Sequence, residues 1–263
     1  MKIATWNING IKARIEPLLT WLAEAAPDVV CLQEIKSVDE GFPTDVIHGL
    51  GYSVGVHGQK GFNGVAILSR LPLEIERRGL PPVTDGAEDE QARYIEGLVT
   101  GPKGVARVAS IYLPNGNPID TAKFPYKLAW MARLESHVRA LLSHEEALVL
   151  AGDYNVIPEP ADAHEPSAWR GDALFQPESR QAFRRLMALG LTDAVRAVNP
   201  SAGVYTFWDY QAGAWQKDNG IRIDHVLLSP QAADRLVGVA IDKHVRSWEK
   251  PSDHVPVVVD LDL

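Results

Sequence analysis

Short apolar runs rich in β-branched residues, most of them ending beside a side chain that can ionise or hydrogen-bond, constrain this chain more than any other feature. The runs are Ile3 to Ile8, Val29 to Gln33, Val65 to Leu68, Val105 to Leu113, Leu148 to Gly152, Ile223 to Leu228 and Val255 to Leu261. Runs of this length and composition read as buried strands. Between the first two, Pro17 suits a first helical turn, and Leu18, Trp21, Leu22 and Ala25 recur at helical spacing before Pro27. A longer helix is expected after Pro125, with Leu128, Met131, Leu134, Val138 and Leu141 on one face. A third carries Phe183, Leu186, Met187 and Leu189 and stops at Gly190.

The order strand, turn, helix, strand ending in an acid occurs twice, over residues 3–34 and again over residues 105–155. Residue identity between the stretches is slight, but the repeated order points to a two-fold layered architecture. The polar stretch Pro81 to Glu90 reads as a surface loop, and no flexible Gly/Ser linker divides the chain. The expected fold is therefore α/β, one domain over residues 1–263, with two packed sheets flanked by helices.

The ends of the strands carry the chemistry. The first run reaches Asn7, the second Glu34, the fourth Tyr112, and the fifth Asp153 with Asn155 two residues on. Asp224 lies just inside a strand, and Asp253-His254 stand before the last one. A single unpaired charge beside a buried run costs several kcal/mol, so one such residue is ordinarily a cap. A whole set of them is harder to explain as caps. Carboxylate and amide oxygens are the ligands of a hard cation such as Mg²⁺. A His held by a carboxylate carries a proton or binds phosphate near neutral pH. Cys is absent from the set and no two-His spacing typical of zinc appears, so zinc is disfavoured.

Composition bounds the reading. A formal charge of −8 argues against a passive nucleic-acid coat, because phosphate affinity comes from clustered Lys and Arg. It leaves room for an enzyme that gathers carboxylates around a cation. Lys36, Lys60, Arg93, Lys123, Lys127, Arg222 and Lys250 remain available locally, each read singly as a solvated surface charge. The lone Cys31 lies within Val29-Val30-Cys31-Leu32 and reads as a small buried hydrophobe. Met1 to Trp6 enters a strand-like segment at once, unlike a signal peptide, and no apolar run approaches a membrane span. The expectation is a soluble, cytoplasmic protein.

Several segments together resemble exonuclease III and the related apurinic/apyrimidinic endonucleases of the endonuclease/exonuclease/phosphatase superfamily. They are Trp6-Asn7-Ile8-Asn9-Gly10, Leu32-Gln33-Glu34-Ile35-Lys36, Gly64 to Ser69, Tyr112-Leu113-Pro114-Asn115-Gly116 and Gly152-Asp153-Tyr154-Asn155. Tyr205 to Tyr210, Arg222-Ile223-Asp224 and Lys250 to Pro256 complete the set, in the family's order and nearly end to end. The resemblance implies a four-layer αββα sandwich of two mixed sheets, of the DNase I type. It implies Asn7 and Glu34 as metal-side residues with Asp253 nearby, and Asp153 with Asn155 positioning the attacking water. It makes Tyr112 a phenol reaching the phosphate or leaving group, His254 the phosphate-binding imidazole, and Asp224 the carboxylate fixing its tautomer. The implied cofactor is Mg²⁺, with Mn²⁺ able to substitute, as one ion or two. A second ion would sit near Asp153, Asn155 and His254.

The same resemblance implies cleavage of double-stranded DNA 5′ to abasic sites, with 3′→5′ exonuclease and 3′-end cleaning at blocked ends as further activities. A pocket for a flipped-out baseless sugar would fall on Phe207, Trp208, Ile221 and Ile223, and Trp215 could wedge into the duplex. A monomer in a bacterial cytoplasm, nucleoid-associated when acting, completes the expectation. Two alternatives stand beside it. One is a phosphodiesterase or phosphatase of the same superfamily acting on another substrate. The other is an inactive, RNA-associated regulatory relative, which would have lost the metal and water-positioning residues present here.

Overall fold

The computed structural model describes residues 1–82 and 89–263. Its strands are β1 (Lys2–Asn7), β2 (Val29–Gln33), β3 (Ser53–His57), β4 (Val65–Ser69), β5 (Leu73–Arg78) and β6 (Tyr94–Thr100), followed by β7 (Val105–Tyr112), β8 (Ala147–Asp153), β9 (Thr192–Asp193), β10 (Asp224–Leu228), β11 (Leu236–Ile241) and β12 (Val257–Leu261). The α-helices are α1 (Ile15–Ala25), α2 (Thr44–His48), α3 (Lys123–Leu142), α4 (Pro177–Met187), α5 (Ala194–Val198) and α6 (Pro230–Ala233). The strands form two six-stranded sheets, ordered β11-β12-β1-β2-β4-β3 and β5-β6-β7-β8-β10-β9.

Each sheet has one parallel pair at its centre, β1 with β2 and β7 with β8, and its other pairings are antiparallel. A parallel pair needs a crossover, supplied by α1 in the first sheet and α3 in the second. The two-fold echo in the sequence is thus the connection each sheet needs to close its centre.

Side-chain alternation sorts the strands into layers. Ile3, Val29, Cys31, Val65 and Ile67 of the first sheet meet Ile95, Val108, Val149, Ala151 and Val226 of the second between the sheets. Ala4, Trp6, Val30, Leu32 and Leu68 face outward onto Leu18, Trp21 and Leu22 of α1. Ala109, Ile111, Leu148 and Leu150 face α3 and α4 through Trp130, Leu134, Val138, Phe183 and Leu186. The result is the expected αββα sandwich. Cys31 is fully buried in the inter-sheet layer, and burial pushes its thiol well up.

The structure adds strands and shifts one helix. β5 and β11 are partly exposed edge strands; β5 is interrupted by Glu74 and Glu76, whereas β11 is apolar throughout and was not among the strands expected. β6 carries Glu96 inward, where it lies 2.8 Å from His137 and accepts from Arg107 at 3.4 Å, so a buried strand was masked by an acid. Helix α3 starts at Lys123 and takes Pro125 into its first turn, where the missing N–H has no intrahelical partner to lose. Its buried face is Lys127, Trp130, Met131, Leu134, Val138 and Leu141, whereas Leu128 is only half-buried. The loop expected over 81–90 falls mostly outside the described residues. Among those described, no helix is long and apolar enough to cross a membrane.

Candidate active site

The parallel strands β1, β2, β7 and β8 end at one edge of the sandwich, and the antiparallel β10 and β12 begin there. This is why residues that follow some strands and precede others converge. In the second sheet Asp153 lies in register between Tyr112 and Asp224. In the first sheet Asn7 pairs with Gln33, one residue before Glu34. A polar ladder behind the site joins the two sheets: Thr5 Oγ1 donates to Gln33 Oε1 (3.2 Å), and Gln33 Nε2 donates to Ser110 Oγ (3.0 Å).

Asn7 is the bridge across the gap. Its Nδ2 donates to Glu34 Oε1 at 3.0 Å and to Asp153 Oδ2 at 2.9 Å. Two carboxylates from different sheets are therefore aimed at one amide. Burial works to raise the Glu34 pKa, but the Asn7 amide and Lys36, 3.0 Å away, outweigh it and hold the carboxyl below its ordinary value. Burial raises Asp153 to about 7, with Asp224 adding to the effect and His254, Asn7 and Asn155 opposing it.

His254 faces both acids. Its Nδ1 lies 2.8 Å from Asp224 Oδ2 and its Nε2 lies 3.8 Å from Asp153 Oδ2. Burial opposes the charged ring, yet the carboxylates of Asp224 and Asp153 prevail and raise it to about 10. Thr206 Oγ1 accepts from the backbone N–H groups of Ile223 and Asp224, and Ser252 Oγ donates to the Asn7 carbonyl at 2.6 Å. These hydroxyls stitch the segments carrying Asp224 and His254 onto the sheet ends.

Asn155 adopts a left-handed backbone (φ 46°), its N–H donating to Asp153 Oδ1 at 2.9 Å. Its amide donates to the Leu113 carbonyl (2.9 Å) and accepts from Asn115 Nδ2 (3.1 Å). Tyr112 stacks beneath the Arg93 guanidinium, and burial reinforced by Glu34 and Asp153 keeps its phenol protonated. Asp253 accepts from Asn9 Nδ2 at 3.0 Å on the cleft's rim.

Glu34, Tyr112, Asn115, Asp153, Asn155, Trp169, Asp172, Leu174, Phe207, Asp209, Ile223, Asp253 and His254 surround a cleft of about 300 Å³. Phe207 and Ile223 stand in its wall, and the Phe207 ring meets His254 edge-on at 5.0 Å. The other apolar candidates lie elsewhere. Trp208 is fully buried in the α1-side core, Ile221 is buried behind Ile223, and Trp215 packs edge-on against Trp208 at 5.0 Å. Their places in the wall are taken by Trp169 and Leu174, which carry no strand-end signature in the sequence. Lys127 and Arg222, read as surface charges, are buried as well. Arg222 pairs with Asp162 (2.8 Å) and Asp193 (2.7 Å) beneath the Ile223-Asp224 segment.

The donor chemistry fits a hard cation. Glu34 and Asp153 offer anionic oxygens across a gap spanned by one amide, and a rotated Asn7 would offer its own oxygen there. Asp153, Asp224 and His254 also form a group, among the described residues, whose ligand atoms lie within 4.8 Å of one another. In that group Asp224 is engaged with His254 and does not line the cleft, whereas Glu34 and Asp153 both do. The residues can hold a divalent metal.

The sequence profile of the endonuclease/exonuclease/phosphatase family matches residues 4–254. The chain belongs to that family. It is similar to exodeoxyribonuclease III of Haemophilus influenzae, 37% identical over 98% of each chain. It is also 30% identical to the DNA repair nuclease APEX1 of Danio rerio, covering 99% of this chain and 82% of that one. Among solved structures, the 3′ phosphatase NExo from Neisseria bound to a product DNA hairpin superposes with a TM-score of 0.94 at 39% identity over all of both chains. An AP endonuclease from Archaeoglobus fulgidus gives 0.92 at 37%, again over the whole of each.

Proposed function

We propose that this chain is a divalent-metal-dependent DNA phosphodiesterase of base excision repair, cleaving 5′ to abasic sites, with 3′→5′ exonuclease and 3′-end cleaning at the same centre. The observation that carries the reading is the single cleft in which Glu34, Asn7 and Asp153 face the His254–Asp224 pair across a wall of Phe207 and Ile223. Relatives named as an exodeoxyribonuclease and a DNA repair nuclease, at 37% and 30% identity over nearly the whole chain, support it.

In this reading Glu34, Asn7 and Asp253 stand on the metal side, with Mg²⁺ the expected ion and Mn²⁺ a substitute. The metal would neutralise charge developing on the phosphate. Asp153, raised to about 7, accepts the proton of the attacking water, and Asn155 orients that water. His254, kept charged by Asp224, donates through Nε2 to a non-bridging oxygen. Water adds to phosphorus as the bond to O3′ of the upstream nucleotide breaks, and the leaving oxygen, with Tyr112 near it, takes its proton from solvent water. The products are a 3′-hydroxyl and a 5′-phosphate on the abasic sugar. An apolar wall of Phe207 and Ile223 suits a baseless deoxyribose, whose extrusion costs least where stacking is already lost. An inactive relative is disfavoured because all the residues it would have shed are present and mutually hydrogen-bonded. We further propose that residues 1–263 act as one monomeric domain.

The test is cleavage of a synthetic abasic duplex beside blunt, recessed and 3′-phosphate duplexes, with EDTA and with Mg²⁺ restored. Incision 5′ to the abasic site that disappears in EDTA and returns with Mg²⁺ is expected. Full activity in EDTA would remove the metal from the mechanism, and attack on none of the DNA substrates would remove the function.

A further inference from the structure

Lys127 lies on the first turns of α3 with no exposed surface, and it is absent from the lining of the cleft. Its Nζ donates to two backbone carbonyls, that of Asn115 at 3.0 Å and that of Asn155 at 2.5 Å. These carbonyls belong to different loops, one leaving β7 after Tyr112 and the other leaving β8 after Asp153. Gly116 makes room for the lysine stem, since a Cβ there would lie 2.7 Å from Lys127 Cδ.

Burying an ammonium is costly, and an apolar side chain of similar length would fill the same space without that cost. Burial lowers the Lys127 pKa to about 7, with Asp153 and Asp172 opposing, and in either protonation state the amino group has donors for both carbonyls; what it adds is a tie between the loops. Asn155 stands at φ 46°, a left-handed conformation that asparagine tolerates better than other non-glycine residues, so its aim is set by the hydrogen bonds that hold it. Its N–H is fixed by Asp153 and its side chain by Leu113 and Asn115. Its carbonyl is fixed by Lys127 alone among the described contacts.

We infer that Lys127 is a positioning residue for this centre, a buried amino group that clamps the Tyr112–Asn115 and Asp153–Asn155 loops together and so sets the aim of the Asn155 amide into the cleft. The inference rests on the proposed function for its kinetic consequence but has a structural consequence of its own. A misplacement of about 1 Å at a catalytic group can cost roughly a hundredfold in rate.

The experiment compares wild type with K127M, which keeps length and loses the donors, and K127R, which keeps charge and donors. Hydrogen exchange is read by mass spectrometry alongside kcat and KM on the abasic duplex. For K127M, exchange over residues 113–116 and 153–156 should rise about tenfold while the core of α3 keeps wild-type protection. Its kcat should fall at least about tenfold with KM within about threefold, and K127R should recover part of the loss. Unchanged exchange in both loops, or wild-type kcat in a folded K127M, would overturn the inference. Should K127M fail to fold, K127A with and without methylammonium decides it: restored loop protection and rate support the clamp, and no restoration in a folded K127A refutes it. A wild-type enzyme that cleaves no DNA would sink the proposed function while the exchange measurement still judged the clamp.

Discussion

The Nδ1 atom of His254 sits 3.0 and 2.8 Å from the two carboxylate oxygens of Asp224, a residue 30 positions earlier in the chain. The pair is fully buried at the head of β10, and it is this carboxylate, helped by Asp153, that raises the imidazole to about 10. The ring is thus a cation throughout the neutral range, ready to donate from Nε2.

Replacing that carboxylate tests the arrangement. D224N should lower kcat by about a hundredfold or more, within the range of positioned acid–base groups. Without the anion the His254 pKa falls, so the alkaline limb of the pH–rate profile should move to lower pH. A D224N enzyme with the wild-type profile would mean that Asp224 does not govern His254.

Glu34 is held ionised by Asn7 and Lys36, which suits a metal ligand better than a proton carrier. E34Q should lower the cleavage rate by orders of magnitude and raise the Mg²⁺ concentration needed for half-maximal activity. Its melting temperature in EDTA should fall modestly, because the mutation removes an anion that Asn7 and Lys36 stabilise. Wild-type Mg²⁺ dependence in E34Q would take Glu34 off the metal.

Gly152 precedes Asp153 where β8 runs beside β7, and a Cβ there would lie 2.0 Å from the Ile111 carbonyl oxygen. G152A must push the two central strands apart at the point that places Tyr112 opposite Asp153. A loss of about 1–3 kcal/mol in denaturant stability is expected, together with reduced kcat. Unaltered stability would show that the strands yield more easily than this geometry allows.

His225 supplies the pH dependence of folding. Arg222 can only donate to its Nδ1, at 3.1 Å, so Nε2 carries the proton and donates to the Val156 carbonyl at 3.0 Å. Burial, with Arg222 adding, lowers the ring from 6.5 to about 4. The unfolded chain therefore binds a proton that the folded one refuses between those values. This contribution is complete above pH 6.5 and is lost as the pH falls toward 4; it amounts to about 3 kcal/mol at most. Urea unfolding of wild type and H225Q from pH 7.5 to 4.5 should give a wild-type curve that declines more steeply. Parallel curves would exclude the effect.

Much of the centre was legible because strand chemistry is local. A buried run that stops at Glu34, Asp153 or Tyr112 shows its polar terminus in the sequence itself, and the repeated order of residues 3–34 and 105–155 pointed to a two-fold layered architecture, which the structure realises as one parallel pair in each sheet. The apolar wall was less legible. Phe207 and Trp208 are adjacent, so alternation turns Phe207 to the cleft and Trp208 to the α1-side core, while Ile221 packs in the same cluster as Ile223 without reaching the cleft. Trp169 and Leu174 arrive from a loop whose path no periodicity announces.

The strand-ending polar residues were thus determined by the sequence alone: the residue types, their order and the strands that carry them. Tertiary structure decided which of them meet. Asn7 reaches both Glu34 and Asp153 only because two sheets pack with their parallel pairs ending at one edge, joined behind by Gln33 and Ser110. It also decided the fate of Lys127 and Arg222, charges that look solvated in any linear reading. Whether an ammonium or guanidinium faces water depends on whether carbonyls and carboxylates from distant segments close over it, and that is a property of packing.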